Sequence, residues 1–336
     1  MILIDGSNAG GQLLRTAIAL SALTQRPFKM TNIRGARPEP GLKSQHLEGV
    51  RALAELCNAK VNGLEIGSRE LEFHPKELKE KDLEIKISTA GSIGLVLQSL
   101  LILTPHIKKE IKINFDGGGT WGKWAPPVVY LERVLFPLLD YSCEMETIKE
   151  GFYPRGGASV KVALEPMKVR TIELKEKTNM KSLKIISVAS SSLQKAKVAE
   201  RRAEAAASFL EQKLNTTPFI EINYSDALSA GSGILCLIRT ENSVLGADNL
   251  GEQGTKAEDV GVRAARDLLK EYFNGAVDQH AADMLLPYLA LNRKGEFLTS
   301  KITNHILTNI DVIEKFIDIK FELQGEKGKP GIVTIL

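Results

Sequence analysis

Cysteine is scarce in this sequence, and long apolar runs are absent. Cys57, Cys143 and Cys236 lie far apart and form no CxxC pair, so neither a zinc site nor a disulfide framework is indicated. The longest apolar candidate, residues 95–107, ends at a cluster of charges before it is long enough to cross a bilayer. The N-terminus has no charged segment followed by an apolar one, so we expect no signal peptide and no membrane partner. A reducing, cytoplasmic compartment fits this cysteine usage.

An excess of one charge is also missing, which excludes a protein that coats nucleic acid through its net charge. The 44 basic and 41 acidic residues give a net charge of +3. The charges are nevertheless uneven, because residues 26–51 hold six basic side chains against Glu39 and Glu48. Such a local patch is sufficient to bind one end of a strand.

A complete P-loop is the last notable absence. Residues 117–123 fit the beginning of that motif, but Trp124 stands where it needs a Mg²⁺-binding Ser or Thr. Ala125-Pro126-Pro127 then occupies the place where a phosphate-binding helix should begin. We therefore exclude a P-loop, although residues 117–119 can still shape a pocket.

What the sequence does contain is a unit that recurs in degenerate form. Each copy has a turn marked by Gly or Asp, an apolar helix, a strand, a loop and a second amphipathic helix. We place the copies at residues 5–56, 90–135 and 278–317, with residues 151–162 as a strand pair that closes the second.

Residues 181–274 follow another pattern, in which strands alternate with two charged helices. This alternation predicts a small inserted α/β domain. Residues 1–180 and 275–336 then form one large α+β domain. A chain of 336 residues that is 43% hydrophobic can build both.

Three arginines surround the first predicted helix. Arg15 follows the Gly10-Gly11 turn, and Arg34 and Arg37 lie in the loop after the first strand. Guanidinium groups bind phosphate bidentately, and a glycine turn before a helix lets backbone N–H groups approach an anion. Together they indicate an anion site. Solvated surface arginines and an ordinary tight turn remain the alternatives for each feature alone.

Three of the five histidines, His46, His280 and His305, lie at or near helix starts. Histidine there can be a nucleophile or base, and it can equally be a capping or surface group. His74 and His106 stand beside prolines in predicted loops, and we interpret them as structural or solvated.

Taken in order, seven segments resemble the motifs of RNA 3′-terminal phosphate cyclases, and the resemblance covers most of the chain outside residues 181–274. The segments are Asp5-Gly6-Ser7 with Gly10-Gly11-Gln12-Leu13-Leu14-Arg15, Ile33-Arg34-Gly35-Ala36-Arg37 with Pro40-Gly41-Leu42 and Gln45-His46-Leu47, Ala90-Gly91-Ser92 with Leu95-Val96-Leu97-Gln98, Gly118-Gly119-Thr120 with Ala125-Pro126-Pro127, Gly151-Phe152-Tyr153-Pro154-Arg155-Gly156-Gly157, Ala282-Asp283-Met284-Leu285, and His305-Ile306-Leu307-Thr308-Asn309.

The resemblance implies a fold and a reaction. The fold has three repeats of a unit of two helices on a four-stranded sheet, as in enolpyruvyl transferases, with a small inserted α/β domain. The reaction is an ATP-dependent ligation that forms a phosphoric ester bond. The nucleophile, matched by His305, takes AMP from ATP and passes it to the 3′-phosphate of RNA, and the 2′-hydroxyl then closes a 2′,3′-cyclic phosphodiester. Mg²⁺ or another divalent cation is expected to accompany ATP.

By the same resemblance, two groups of residues have expected roles. Those that match phosphate- or RNA-end-binding positions are Arg15, Arg34, Arg37, Gln45 and His46. Those that match the nucleotide pocket are Gln98, His280, Ala281, Ala282, Asp283 and Met284. The sequence departs from the family in its shorter glycine segment before Gln12, which lacks a Glu near the metal, and in Met284, where Gln is usual. No metal ligands are therefore assigned.

Two other functions remain as alternatives. Some cyclase-like proteins lack the nucleophilic histidine and act as RNA-binding factors in ribosome assembly. His305 favours the enzyme, whereas the missing Glu favours the binding factor. An enolpyruvyl transferase is suggested by fold alone, and such enzymes need two similar domains.

Overall fold

The computed structural model describes residues 1–336 and contains four four-stranded sheets. The first sheet has the spatial order β1-β2-β4-β3. Its strands are β1 (Ile2–Asp5), β2 (Phe28–Thr31), β3 (Lys60–Asn62) and β4 (Leu71–His74), and its helices are α1 (Gln12–Thr24) and α2 (Ser44–Leu56). The apolar residues predicted for the first helix, among them Leu13, Leu14 and Ile18, are buried on α1. Their spacing therefore predicted both the helix and its packed face.

The second sheet has the order β5-β6-β8-β7. Its strands are β5 (Leu83–Ser92), β6 (Ile111–Gly119), β7 (Glu144–Lys149) and β8 (Ser159–Leu164). Its helices are α3 (Ile93–Leu101) and a helical segment made of α4 (Val128–Tyr130), a π-helical turn (Leu131–Leu135) and α5 (Phe136–Leu138).

The strand pair predicted for residues 151–162 is wrong in its first part. The strands that close the second sheet are β7 and β8, and residues 151–157 between them form a tight turn with one bridge, from Phe152 to Gly156. Gly156 and Gly157 have positive φ angles of 66° and 77°, a conformation that L side chains rarely adopt. A strand cannot run through these two residues.

The sheet built from the middle of the chain is buried on both faces. Its order is β11-β10-β12-β13, from β10 (Met180–Ser190), β11 (Phe219–Ser225), β12 (Ser232–Thr240) and β13 (Val244–Leu250), with helices α6 (Val198–Leu214) and α7 (Ala257–Asn274). Ile185 and Cys236 belong to a core of 16 buried residues under the two helices. Ile186 and Leu235, on the opposite face, belong to the main core of 73 buried residues. This double burial explains why β12 is almost continuously apolar and why Ile185 and Ile186 follow each other on β10.

The last sheet joins one strand that precedes residues 181–274 to three strands that follow them. Its order is β15-β16-β14-β9, from β9 (Ile172–Leu174), β14 (Gly295–Thr299), β15 (Phe321–Gly325) and β16 (Gly331–Ile335), with helices α8 (Gln279–Asn292) and α9 (Asn304–Phe316). β9 pairs in parallel with β14, with Ile172 opposite Gly295. The third predicted unit, placed at residues 278–317, does not include β9, which belongs to the same sheet as β14.

Three of the four sheets share one strand order. Counted along the chain within each sheet, it is first, second, fourth, third, and the first two strands are parallel. Mixed sheets with helices between their strands fit the expected α+β class. Helices α1, α2, α3, α8 and α9 pack against one another, which brings the starts of several helices to one region. No helix combines the length and apolar character needed to cross a membrane.

Candidate active site

The starts of α1 and α9 lie next to each other. The Asn304 side chain at the start of α9 donates a hydrogen bond of 3.1 Å to the carbonyl of Asn8, just before α1. Gly11 caps α1 without any side-chain hydrogen bond, and the N–H groups of residues 12–14 have no acceptor in the chain. Thr303 caps α9 by accepting from the N–H of Ile306, but the N–H groups of Asn304 and His305 also lack an acceptor. Unpaired N–H groups at two helix starts attract anions.

His305 points its ring toward α8. Its Nδ1 lies 3.3 Å from Oδ2 of Asp283, and its side chain is 45% exposed whereas that of Asp283 is 10% exposed. Asn309, one turn further along α9, donates a hydrogen bond of 2.8 Å to the carbonyl of Asp283. A carboxylate beside Nδ1 favours the tautomer with its proton on Nδ1, which leaves Nε2 with a free lone pair. The ring is thus oriented and accessible.

A small cavity lies between α1, α3, α8 and α9. Its volume is about 30 Å³, room for a water molecule and not for a nucleotide. Its lining includes Arg15, Gln98, Asp283 and Met284, four residues expected at the site. Burial lowers the pKa of Arg15 to about 10, while the negative charge of Asp283 acts in the opposite direction. The guanidinium therefore stays charged at neutral pH although it is largely removed from water.

Several buried amides around this cavity have no hydrogen-bond partner. They are both side-chain polar atoms of Gln12, Nε2 of Gln98 and Oδ1 of Asn309. Buried polar atoms are almost always paired, so orphaned ones clustered at a site mark a place where water or a ligand completes the bonding. Gln12 and Asn309 were not among the expected site residues. Their signal in the sequence was weak, since each is one polar residue on a mostly apolar helix face.

His46 lies against the start of α1 as a neutral side chain. Its Nδ1 accepts a hydrogen bond of 3.1 Å from the N–H of Lys43, which caps the start of α2. Burial, and then the positive charges of Arg15, Arg34 and Lys43, lower the pKa of His46 to about 3. A Cβ atom added to Gly11 would come within 2.1 Å of Nε2 of His46, so only glycine fits this contact.

Arg34 and Arg37 have different surroundings. Arg34 adopts a positive φ of 56° and donates to the carbonyls of Glu39 and Gly41, at 2.8 and 2.9 Å. Its guanidinium therefore stabilises the loop it belongs to. Arg37 makes no ion pair in the chain, and its guanidinium lies beside Gly10, where an added Cβ would be 3.4 Å from it. Of the two, Arg37 is the one available to an anion at the start of α1.

The Gln45 side chain connects α2, a helix of the first sheet, to the start of α3, a helix of the second sheet. Its side-chain Oε1 accepts a hydrogen bond of 2.9 Å from the N–H of Ser92, and Ser92 in turn caps α3 by accepting from Leu95. This hydrogen bond fixes the start of α3 beside α2 and orients the Gln45 amide, whose Nε2 makes no hydrogen bond in the chain. A role of Gln45 at a phosphate or the RNA end stays a prediction.

At the start of α8, backbone N–H groups are already bonded. The buried Asp278 carboxylate accepts from the N–H groups of His280 and Ala281, and from Tyr130 Oη at 2.6 Å and Gly246 N at 2.9 Å. Ala281 and Ala282 are fully buried. His280 is exposed, with its ring edge toward Tyr130. Of the expected nucleotide residues here, His280, Asp283 and Met284 present side chains to the surface or to the cavity.

Comparisons with known proteins match this arrangement to one family. The family model described as RNA 3′-terminal phosphate cyclase matches residues 7–323. An RNA 3′-terminal phosphate cyclase of Pyrococcus abyssi is 44% identical over 342 residues, which is 100% of this chain and 99% of that protein. Those of Thermococcus kodakarensis and Methanopyrus kandleri are 42% and 39% identical, over 99% and 100% of this chain and 97% and 98% of theirs. The chain belongs to the RNA 3′-terminal phosphate cyclase family.

Proposed function

We propose that this protein uses ATP to convert the 3′-terminal phosphate of RNA into a 2′,3′-cyclic phosphodiester. Membership of the family supports the overall reaction, because the relatives bear that name over their full length. The observation that carries the mechanism is the pairing of the exposed His305 ring with the Asp283 carboxylate.

In the first step, Nε2 of His305 attacks the α-phosphorus of ATP. An N–P bond forms, the bond from that phosphorus to the bridging oxygen breaks, and pyrophosphate leaves. Asp283, beside Nδ1, stabilises the positive charge that develops on the ring. The unpaired N–H groups of Asn304 and His305 lie at the same helix start and favour a phosphate there.

In the second and third steps, AMP moves to the RNA. An oxygen of the 3′-phosphate attacks the phosphorus on His305, and the N–P bond breaks. The ribose 2′-hydroxyl then attacks the 3′-phosphorus, loses its proton and expels AMP. Because the last attack is intramolecular, holding the RNA end in place lowers its barrier. Arg15, Arg37 and the uncapped start of α1 are the groups we assign to that task.

A divalent cation has no ready-made site in the chain. No three His, Cys, Asp or Glu side chains are grouped so that they could hold a metal ion. Mg²⁺ commonly keeps several waters and binds through substrate phosphates. We derive no step from a protein-bound cation, and a cation that accompanies ATP would be held chiefly by the triphosphate.

We also make proposals about the repeat units, the domains and the cellular compartment of the protein. We propose that the three sheets with a common strand order are copies of one unit, that residues 181–274 are a domain inserted into the third copy, and that the protein acts in the cytoplasm. The parallel pairing of β9 with β14 across the insertion supports the first two.

The decisive experiment is covalent labelling. The protein is incubated with ATP labelled at the α-phosphate and a series of divalent cations, and the label on the protein is tested for the acid lability and base stability of a phosphoramidate. We expect a labelled protein, and none with His305→Ala. An unlabelled wild-type protein that still binds RNA 3′-ends would instead support a non-catalytic RNA-binding factor. A label retained in His305→Ala would place the nucleophile elsewhere.

A further inference from the structure

Two aromatic side chains stand out on the surface. Trp124 and Tyr153 are each 80% exposed, more than any other aromatic residue of the chain; the next are Phe219 at 66% and Phe273 at 55%. Large rings cost free energy when they are left in water, so two such rings at neighbouring loop tips indicate a surface that binds something. Neither ring takes part in the site described above.

Both rings are carried by rigid turns. A bridge between Gly122 and Ala125 closes the turn that carries Trp124, and a bridge between Phe152 and Gly156 closes the turn that carries Tyr153. A buried aromatic precedes each: Trp121, 2% exposed, packs on Gly233, and Phe152, 3% exposed, packs on Gly231.

The two turns start from bonded backbone. The N–H of Thr120 donates to the carbonyl of Gly151 at 3.0 Å, and the N–H of Arg155 donates to Ser229 Oγ at 3.1 Å. The turns that carry the two exposed rings therefore rise from a common, hydrogen-bonded base. A pre-organised aromatic surface loses little conformational entropy when a ligand binds.

The turn that carries Trp124 lies close to the candidate active site. A Cβ on Gly122 would lie 3.8 Å from Cβ of Ser92, so the turn that carries Trp124 passes over the start of α3. The N–H of Ser92 is bonded to Gln45, the neighbour of His46. A chain whose 3′ end lies near His46 and Arg37 would reach Trp124 a short way upstream.

Two basic side chains stand next to the rings. Lys123 places its Nζ 5.3 Å from the centre of the Trp124 ring, and its one acidic contact is Glu252 at 3.5 Å. Arg155, exposed two residues after Tyr153, makes no ion pair. Aromatic faces for bases and cations for the backbone are the combination that binds single-stranded nucleic acid without sequence preference.

We propose that Trp124 and Tyr153, with Lys123 and Arg155, form a platform on which bases upstream of the RNA 3′ end stack. This inference rests on the proposed function for the position of the 3′ end. The experiment measures RNA binding without ATP. The platform proposal can therefore fail although the cyclase reaction is confirmed, and it can be confirmed although the protein does not catalyse that reaction.

The test uses two RNA 3′-phosphates, one of about eight nucleotides and one of about two, a difference that spans the length such a platform covers. Affinities are measured by fluorescence anisotropy of the labelled longer RNA and by competition with the shorter. We expect Trp124→Ala and Tyr153→Ala each to weaken binding of the longer RNA by about tenfold. The affinity for the shorter RNA, which does not reach the platform, should change much less.

The matched control is Phe219→Ala. Phe219 is also exposed and also lies under a lysine, with Lys184 Nζ 5.4 Å from its ring centre. It differs in position, because it is the first residue of β11, whereas Ser225, near the Tyr153 loop, is the last. It should leave both affinities unchanged. The proposal is overturned if the double variant binds the longer RNA normally, if both RNAs lose affinity equally, or if Phe219→Ala has the same effect.

Intrinsic fluorescence gives a second, spectroscopic outcome. RNA stacked on Trp124 should quench its emission, and the buried Trp121 should contribute no quenching. Trp124→Phe keeps a ring for stacking, so it should retain most of the affinity and lose the quenching. Quenching that persists in Trp124→Phe would mean that the bases do not contact Trp124, and would overturn the proposal.

Discussion

Nδ1 of His305 lies 3.3 Å from Oδ2 of Asp283, and the carbonyl of Asp283 accepts a hydrogen bond from Asn309, one turn beyond His305 on the same helix. Helices α8 and α9 are thus connected twice at this point, once through the backbone and once through the proposed nucleophile. The backbone link fixes the position of Asp283, and the carboxylate then fixes the orientation of the imidazole ring.

Replacing Asp283 with Asn should slow covalent adenylylation by at least tenfold, equivalent to about 1.4 kcal/mol of barrier. The amide keeps the size of the side chain but has no charge to stabilise the imidazolium that forms as the N–P bond is made. The measurement is the single-turnover rate of labelling with α-labelled ATP. Asp311→Asn, an exposed change on α9, is the control and should label at the wild-type rate. Equal rates for Asp283→Asn and wild type would refute this role of Asp283.

Gly11→Ala should disrupt the site although alanine is a small residue. The new Cβ would meet His46 Nε2 at 2.1 Å, and His46 is held by its hydrogen bond from Lys43 and by burial. We expect a loss of stability of about 1–3 kcal/mol from overpacking and a loss of RNA 3′-phosphate binding. Urea unfolding and RNA binding measure the two effects.

The control for Gly11→Ala is Gly49→Ala, in the interior of α2. No heavy atom lies within 4 Å of a Cβ built there, so the change should raise helix stability by up to about 1 kcal/mol. If Gly11→Ala behaves like Gly49→Ala, the ring of His46 moves freely and the tight contact has no role.

The extent to which the sequence predicts the fold depends on how local each signal is. The buried residues of α1 follow a helical period and β12 is a short continuous apolar run, so local signals indicate both elements. β9 is three residues long and pairs with β14 across more than a hundred residues of intervening chain, including the whole sheet of β10 to β13. Nothing in the neighbourhood of Ile172 indicates that partner, so the sequence did not predict the pairing of β9 with β14.

The site shows the same limit. Arg15, Arg37 and the Gly10-Gly11 turn could be selected from the sequence, because charge and glycine stand out there, and the structure places Arg37 beside Gly10. Their binding of an anion stays a prediction. The unpaired amides of Gln12 and Asn309 were not, since whether a glutamine or asparagine has a partner is decided by residues far away in the chain. Likewise, only the fold reveals that Oε1 of Gln45 accepts a hydrogen bond from Ser92, because the two residues are 47 positions apart in the chain.

His46 should make stability depend on pH. Its pKa is 6.5 in the unfolded chain and about 3 in the folded one, so between these values the unfolded state binds the extra proton. The contribution of neutral His46 to the free energy of unfolding is complete above the pKa of the unfolded chain. It is lost as pH falls toward the pKa of the folded protein. As pH falls, the wild type should therefore lose unfolding free energy relative to His46→Gln, by about 1.4 kcal/mol per pH unit.

Urea unfolding of both proteins from about pH 6 to about pH 4 measures this slope. Burial raises the pKa of Asp248 to about 6, so the effect of Asp248 on the pH dependence of stability has the opposite sign. This effect is the same in both proteins and cancels in the difference between their unfolding free energies. A difference that stays constant with pH would mean that His46 is solvated and protonates normally in the folded state.

Gln12→Met should exchange function for stability. Both polar atoms of the Gln12 amide are buried without a partner, and an unsatisfied buried group costs about 1–3 kcal/mol. Methionine has a similar volume and no such cost, so the free energy of unfolding should rise by about 1 kcal/mol while the labelling rate with ATP falls. Ser99→Ala, which removes another buried oxygen without a partner, should also raise stability but leave labelling unchanged. If the Gln12→Met variant is labelled at the normal rate, the Gln12 amide has no role in the reaction. If the variant has the same unfolding free energy as the wild type, a buried water in the 30 Å³ cavity already forms hydrogen bonds with the amide.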